Sequence, residues 1–203
     1  VIYNPVITPE LRVKMMESVE NSWLETEEVP VVIGAGRFVA QKDFSTLIRA
    51  FAKVRQVRPI RLIMLGSGRE EEKLRVLVQQ LGIEADVSWM GFVSNPFAYM
   101  KQAAVFVMSS VWEGFGNVLV EAMAVGTPVI STNCPSGPEE ILAGGKYGEL
   151  VPVGDSVSMA EAILKVLSGQ IKYVDSDWLK QFTWEAVTQK YLDFMDINLE
   201  NTK

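Results

Sequence analysis

From Val29 onward, short β-branched and apolar runs alternate with stretches of helical periodicity, and this alternation most limits the folds open to the chain. A strand, a helix and a second strand in succession form a parallel pair, because the helix returns the chain to the same end of the sheet. The strand-like runs are Pro30 to Arg37, Ile60 to Leu65, Val87 to Gly91, Val105 to Ser109, Pro128 to Thr132 and Glu149 to Pro152. Helical patterns fill the gaps at Phe44 to Gln56, Glu70 to Leu81, Phe97 to Gln102, Asn117 to Val125 and Pro138 to Ala143. The pattern predicts an α/β domain with a doubly wound, Rossmann-like parallel sheet of six strands. Two further helices follow the sheet, Ser158 to Leu167 and Trp184 to Met195. Upstream, Thr8 to Asn21 reads as a short helix and Glu25 to Glu28 as an acidic surface turn.

At 203 residues the chain has room for one such domain with an appended arm. With 48% hydrophobic and 22% charged residues it has the composition of an ordinary globular domain. A net charge of -6 opposes a nucleic-acid-binding role, which needs an excess of Lys and Arg to neutralise phosphates. Cys134 is the sole cysteine and there is no histidine, so an internal disulfide is excluded and a zinc site is not expected. No apolar run approaches the ~20 residues that span a bilayer. The expected location is cytoplasmic, with peripheral attachment of the full protein at the inner membrane face left open. The chain opens on Val1-Ile2-Tyr3-Asn4-Pro5 without a methionine, and reads as a portion of something longer.

In open parallel sheets, ligands bind beyond the carboxyl ends of the strands, where loops enter helix N-termini of partial positive charge. Three such loops carry unusual residues. After the first strand, Gly34-Ala35-Gly36 resembles the start of a dinucleotide fingerprint, but Val39 stands at its third glycine position and no acidic ribose ligand ends the second strand. The same loop carries Arg37 and Lys42, which can neutralise a diphosphate without a metal; taken alone, two such cations are more often solvated surface charges. After the second strand comes Gly66-Ser67-Gly68.

The third loop is the most informative. In Glu113-Gly114-Phe115-Gly116-Asn117-Val118-Leu119-Val120-Glu121, paired glycines let backbone approach a ligand and Asn117 starts a helix. Glu121 lies one turn beyond Asn117 on the same helical face. It is embedded among Val118, Leu119, Val120, Ala122, Met123 and Ala124, where a carboxylate needs a partner.

This segment resembles the E-x7-E motif of the retaining family 4, or group 1, glycosyltransferases, whose two-domain fold is called GT-B. Neighbouring segments agree in order: Gly36-Arg37 through Lys42, Gly66-Ser67-Gly68, Gly91-Phe92-Val93, Pro135 to Ile141, and Gly148 to Pro152. The likeness covers about residues 29 to 170. It implies that residues 29–170 are the C-terminal, donor-binding domain. Residues 1–28 would lead in from an N-terminal acceptor domain, and 171–203 would form a helical arm crossing back to it.

By the same resemblance Arg37 and Lys42 contact the donor diphosphate, Glu121 the ribose hydroxyls and Glu113 hydroxyls of the transferred sugar. Backbone amides around Phe115, Gly116 and Asn117 meet the diphosphate and sugar, Gly91, Phe92 and Val93 line the base pocket, and Gly36, Gly68, Gly114 and Val118 complete the donor-binding set. The catalytic set would be Glu113, Arg37 and Lys42, with no metal, no cofactor and a nucleoside diphosphate-sugar, most simply a UDP-sugar, as donor. Where the family has glycine after its lysine this chain has Asp43, which reads as a cap of the following helix.

Asp175-Ser176-Asp177 looks like the metal-nucleotide motif of a different glycosyltransferase fold, yet it follows the sheet, so helix capping is the better reading. The aromatics Trp178, Phe182, Trp184, Tyr191 and Phe194 are expected to pack rather than to form a sugar platform. Rival readings are an epimerase or phosphorylase of the same fold, and a non-catalytic nucleotide-sugar-binding module. Without the acceptor half, the chain alone is expected to bind donor and not to transfer sugar.

Overall fold

The computed structural model describes residues 1–26 and 28–195. Its centre is a six-stranded, wholly parallel sheet in the order β3-β2-β1-β4-β5-β6, formed by β1 (Val31–Ala35), β2 (Arg61–Leu65), β3 (Val87–Gly91), β4 (Val105–Met108), β5 (Val129–Thr132) and β6 (Glu149–Val151). The order reverses between β1 and β4, which makes the space beyond their carboxyl ends the crevice of the sheet.

Side chains along each strand alternate between two cores, which is why the strands read as near-continuous apolar runs rather than as alternating ones. Val32, Leu62, Met64, Val105 and Val107 face one core, closed by α2 (Phe44–Val57), α3 (Glu71–Gln80) and α7 (Ser156–Leu167). Val31, Ile33, Ile63, Leu65, Phe106 and Met108 face the other, closed by α1 (Pro9–Lys14), α4 (Pro96–Gln102), α5 (Asn117–Ala124) and α6 (Pro138–Ile141). Each of these strands therefore holds apolar surface on both sides, and burial rather than backbone propensity secures the sheet.

One expectation changes. The first helix ends at Lys14 instead of Asn21. Thr8 caps its start, with Pro9 at its first position, but Leu11 is its only buried residue while Val13 and Met16 stand exposed. A longer helix there would lack an apolar face to hold it. The helix cap expected at Asp175-Ser176-Asp177 is present: Asp175 caps the short α8 (Ser176–Leu179) by accepting from the amide of Asp177. The expected acidic turn includes Glu27, which lies outside the described residues.

The expected packing of the C-terminal aromatics holds for Trp178 and Phe182 and fails for the rest. Trp178 donates to the Ile141 carbonyl at 2.9 Å and packs on Tyr147, and Phe182 is fully buried. On α9 (Trp184–Phe194), Val187 is the buried residue, whereas Trp184, Tyr191 and Phe194 are 52%, 49% and 80% exposed. Helical spacing placed these rings on a helix without deciding whether that face meets a core. Residues 1–7 join the same region: Ile7 bridges Thr183 in parallel, with Ile7 N donating to Phe182 O at 2.9 Å and Trp184 N to Ile7 O at 3.0 Å.

Candidate functional site

The loops after β1, β2 and β3 are stitched into one floor. Gly36 N donates to Leu65 O at 2.9 Å, Phe38 N to Ser67 O at 2.9 Å and Gly66 N to Gly91 O at 2.7 Å. The approach is closest at Gly66, where an added Cβ would lie 1.9 Å from the Gly36 carbonyl oxygen at a φ of +134°. Gly66 is thus required by contact and by conformation. Gly68 abuts the Phe38 backbone in the same way, so it and Gly91 act between loops and do not line the cavity that the sequence assigned them to.

A short 3-10 turn, Ala40–Lys42, carries Lys42 into the crevice, and Asp43 follows in a left-handed conformation with φ 37°. Asp43 caps α2 as expected: its carboxylate accepts from Thr46 Oγ1 at 2.6 Å and Thr46 N at 3.4 Å, and so is turned away from the cleft. The loop after β4 locks against this turn. Val111 N donates to Gln41 O at 2.8 Å, Gln41 Nε2 to Trp112 O at 2.9 Å, and buried Ser109 Oγ to Lys42 O at 2.9 Å.

These clamps bring Lys42 Nζ to 2.5 Å from Glu113 Oε1, the same oxygen that accepts from Ser110 Oγ at 2.6 Å. Arg37 stands at the rim, exposed. Helix α5 then starts with Gly116 as its cap and no side chain to accept from its first-turn amides. An anion is the natural complement to such a helix end. By contrast α2, α4 and α7 are capped by Asp43, Asn95 and Asp155. The Gly116 turn is held from behind by Gly137, where a Cβ would lie 1.7 Å from the Phe115 carbonyl oxygen.

The open space has two lobes that share Lys42 and Val118. One, of about 290 Å³, is mainly apolar, with Ala35, Leu65, Phe92, Val93, Pro96 and Met100 in its wall and Arg37 at its edge. The other, of about 410 Å³, is polar, lined by Asn4, Glu113, Phe115, Gly116, Asn117 and Glu121. Of the residues selected from sequence, the structure gathers Gly36, Arg37, Lys42, Phe92, Val93, Glu113, Phe115, Gly116, Asn117, Val118 and Glu121 around this space, and leaves Gly114 on the outer surface of its loop.

Glu121 accepts no hydrogen bond from the described residues, and burial among the apolar side chains of α5 raises its carboxyl above the usual range. The side chain is half-buried and lines the polar lobe. Sequence reasoning overlooked Asn4, Pro96, Met100 and Ser110. Pro96 and Met100 follow the Gly91-Phe92-Val93 turn closely, while Asn4 is more than a hundred residues from its neighbour in space and had no signal of its own. Among the described residues no group of three or more Cys, Asp or Glu side chains is arranged to hold a metal ion, and Asp175 serves as a helix cap. No described helix is long and apolar enough to cross a membrane.

Residues 16–177 match the family described as glycosyl transferases group 1. The lipopolysaccharide core biosynthesis glycosyltransferase LpsE of Rhizobium meliloti is 35% identical over 185 residues, covering 88% of this chain and 53% of that protein. The lipopolysaccharide 1,6-galactosyltransferase of Salmonella typhimurium is 32% identical over 177 residues, covering 85% and 47%. Among solved structures, the Anabaena protein Alr3699/HepE in complex with UDP-glucose superposes with a TM-score of 0.78 at 21% identity, covering 96% of this chain and 56% of that one. The chain spans about half the length of the curated relatives it matches.

Proposed function

The chain belongs to the group 1 glycosyl transferases, and on that premise we propose that it supplies the donor site of a retaining glycosyltransferase, binding a UDP-sugar for transfer to an acceptor held by another domain. The observation that carries this reading is the junction of an apolar lobe and a carboxylate-lined lobe at one cation, Lys42, beside the uncapped start of α5. A nucleoside diphosphate-sugar likewise combines an apolar base, an anionic diphosphate and hydroxyl-bearing sugars.

In this reading the base enters the apolar lobe against Phe92, Val93, Pro96 and Met100. The diphosphate meets Lys42, Arg37 and the first-turn amides of α5. Glu121 accepts from the ribose hydroxyls and Glu113 from hydroxyls of the transferred sugar, each carboxylate oxygen taking charge-assisted hydrogen bonds. As the bond from sugar to diphosphate breaks, negative charge grows on the departing phosphate, where two cations and a helix end already point. These groups stabilise the leaving group without a metal or cofactor, and no residue is assigned as a nucleophile. The preference for uridine draws support from the shared fold of the Anabaena protein solved with UDP-glucose.

Residues 29–170 form the donor unit of this proposal, with 1–28 leading in from the acceptor domain and 171–203 returning to it. Calorimetric titration with UDP, GDP and ADP tests the reading: UDP should bind most tightly. Absence of binding by all three would sink the donor-site assignment. The whole protein should transfer sugar with retained configuration; this chain alone should not.

A further inference from the structure

Residues 1–7 are fastened at both ends and set one polar side chain on the rim of the polar lobe. The Ile7 bridge to Thr183 fixes one end. Tyr3 fixes the other: its ring stacks on Phe115 at 5.4 Å and 27°, lies 5.2 Å from the Phe182 ring, and its hydroxyl donates to Glu140 Oε1 at 2.9 Å. Between them the chain turns at Pro5, with Val6 N donating to Asn4 O at 2.9 Å. The turn directs the Asn4 amide onto α5, where Nδ2 donates to Asn117 Oδ1 at 2.8 Å.

That bond uses one of the two amide hydrogens. The other hydrogen and the carbonyl oxygen have no partner among the described side chains, and the residue lines the cavity with Glu113, Asn117 and Glu121. Asn117 and Glu121 are four residues apart on α5, about 6 Å of helix rise, so the contact of Asn4 with Asn117 lies at the start of the helix, toward the glycine loop that bears Glu113. An amide so held can both donate to and accept from a hydroxyl group.

We propose that Asn4 is a donor-specificity residue: its side chain, oriented by Asn117, hydrogen-bonds a hydroxyl of the sugar carried by the nucleotide. This inference rests on the donor-site reading above. It assigns the rim of the site to a segment outside the sheet, and makes recognition of the sugar depend on the docking of residues 1–7 through Tyr3 and Ile7.

The test compares UDP with UDP-glucose, UDP-galactose and UDP-N-acetylglucosamine by calorimetry on the 203-residue chain and on Asn4→Ala. UDP affinity should be unchanged, and affinity for the UDP-sugar that binds the unaltered chain most tightly should fall by about three- to tenfold, the worth of one hydrogen bond. Asn117→Ala, which frees the Asn4 amide to rotate, should lower that same ratio. Thermal unfolding without ligand separates recognition from folding, since an exposed asparagine should leave the midpoint unaltered. Should Asn4→Ala fail to fold, Asn4→Leu keeps a similar volume but loses both donor and acceptor, and should show the same selective loss. If UDP and UDP-sugar weaken equally, or neither weakens, the assignment of Asn4 fails while the donor site stands. If the unaltered chain binds none of the four, the donor-site reading fails and this inference with it.

Discussion

Lys42 Nζ lies 2.5 Å from Glu113 Oε1, although 71 residues separate the two along the chain. Their side chains are 17% and 7% exposed, so solvent screens the pair weakly and each charge relies on the other. In the donor-site proposal, a diphosphate at Lys42 would bring a second anion into competition with Glu113, and exchange of partners would free Glu113 Oε1 to accept from the sugar.

Glu113→Gln should therefore tighten UDP binding, by up to about fivefold if relief of the competing ion pair contributes about 1 kcal/mol. It should also lower ligand-free stability by about 1–3 kcal/mol, because Lys42 is left without its counter-ion. Thermal unfolding with and without UDP measures both effects, and transfer by the whole protein should be lost. Weaker UDP binding in this variant would remove the competition argument.

How much of this was legible in advance differs by element. All six strands were, since apolar runs bounded by Gly, Pro and polar residues mark strands buried on both faces. Arg37, Lys42, Glu113 and Glu121 were singled out by their resemblance to a family motif, and the structure brings them around one open space. The contact between Lys42 and Glu113 was not: it depends on β1 lying beside β4, and periodicity does not set strand order. Asn4 was invisible for a related reason. Its place follows from Ile7 pairing with Thr183, a contact across nearly the whole chain.

Glu121 should make the ligand-free fold less stable as pH rises. Burial raises its carboxyl above the ordinary value, so in the interval between the unfolded and folded values the native state holds the proton more often. By linkage, stability then falls with increasing pH across that interval, and at neutral pH the buried charge is a standing cost. Glu121→Gln should raise the ligand-free melting temperature at pH 7. That gain should vanish once pH drops below the ordinary carboxylate range. An identical gain at every pH would mean that the charge is not its cause. Glu121→Ala should weaken UDP and UDP-sugar alike, by about 1.5–3 kcal/mol for a lost charged hydrogen bond.

Gly66→Ala should displace the floor of the site. The new methyl group would sit 1.9 Å from the Gly36 carbonyl oxygen, backbone against backbone, so the loop bearing Arg37 and Lys42 must move. A loss of about 2–4 kcal/mol in stability is expected, with UDP affinity falling alongside. Gly82→Ala is the control. Its φ of +65° is also left-handed but nothing lies within 4 Å of the added carbon, so only the conformational cost of about 1–2 kcal/mol applies and UDP binding should not change. Equal effects of the two substitutions on UDP would show that crowding at Gly36 is irrelevant.

Arg37 and Lys42 should differ in how salt modulates their contribution to UDP binding. Arg37 is exposed at the rim, where mobile ions screen its charge within a Debye length of about 8 Å at physiological ionic strength. Lys42 is enclosed, and its Nζ is held in position by Glu113 before any ligand arrives. Arg37→Ala should thus cost about 0.5–1 kcal/mol at low salt and almost nothing at high salt, as exposed pairs do. Lys42→Ala should cost about 1.5–3 kcal/mol and keep most of that loss at high salt, because a desolvated charge-assisted bond is screened little. Repeating the titrations with EDTA separates this arrangement from a metal-dependent one: with both cations present the chelator should leave affinity unaltered. If EDTA abolished binding and Mg²⁺ or Mn²⁺ restored it, the countercharge would come from a metal, and Arg37 and Lys42 would lose the role given to them.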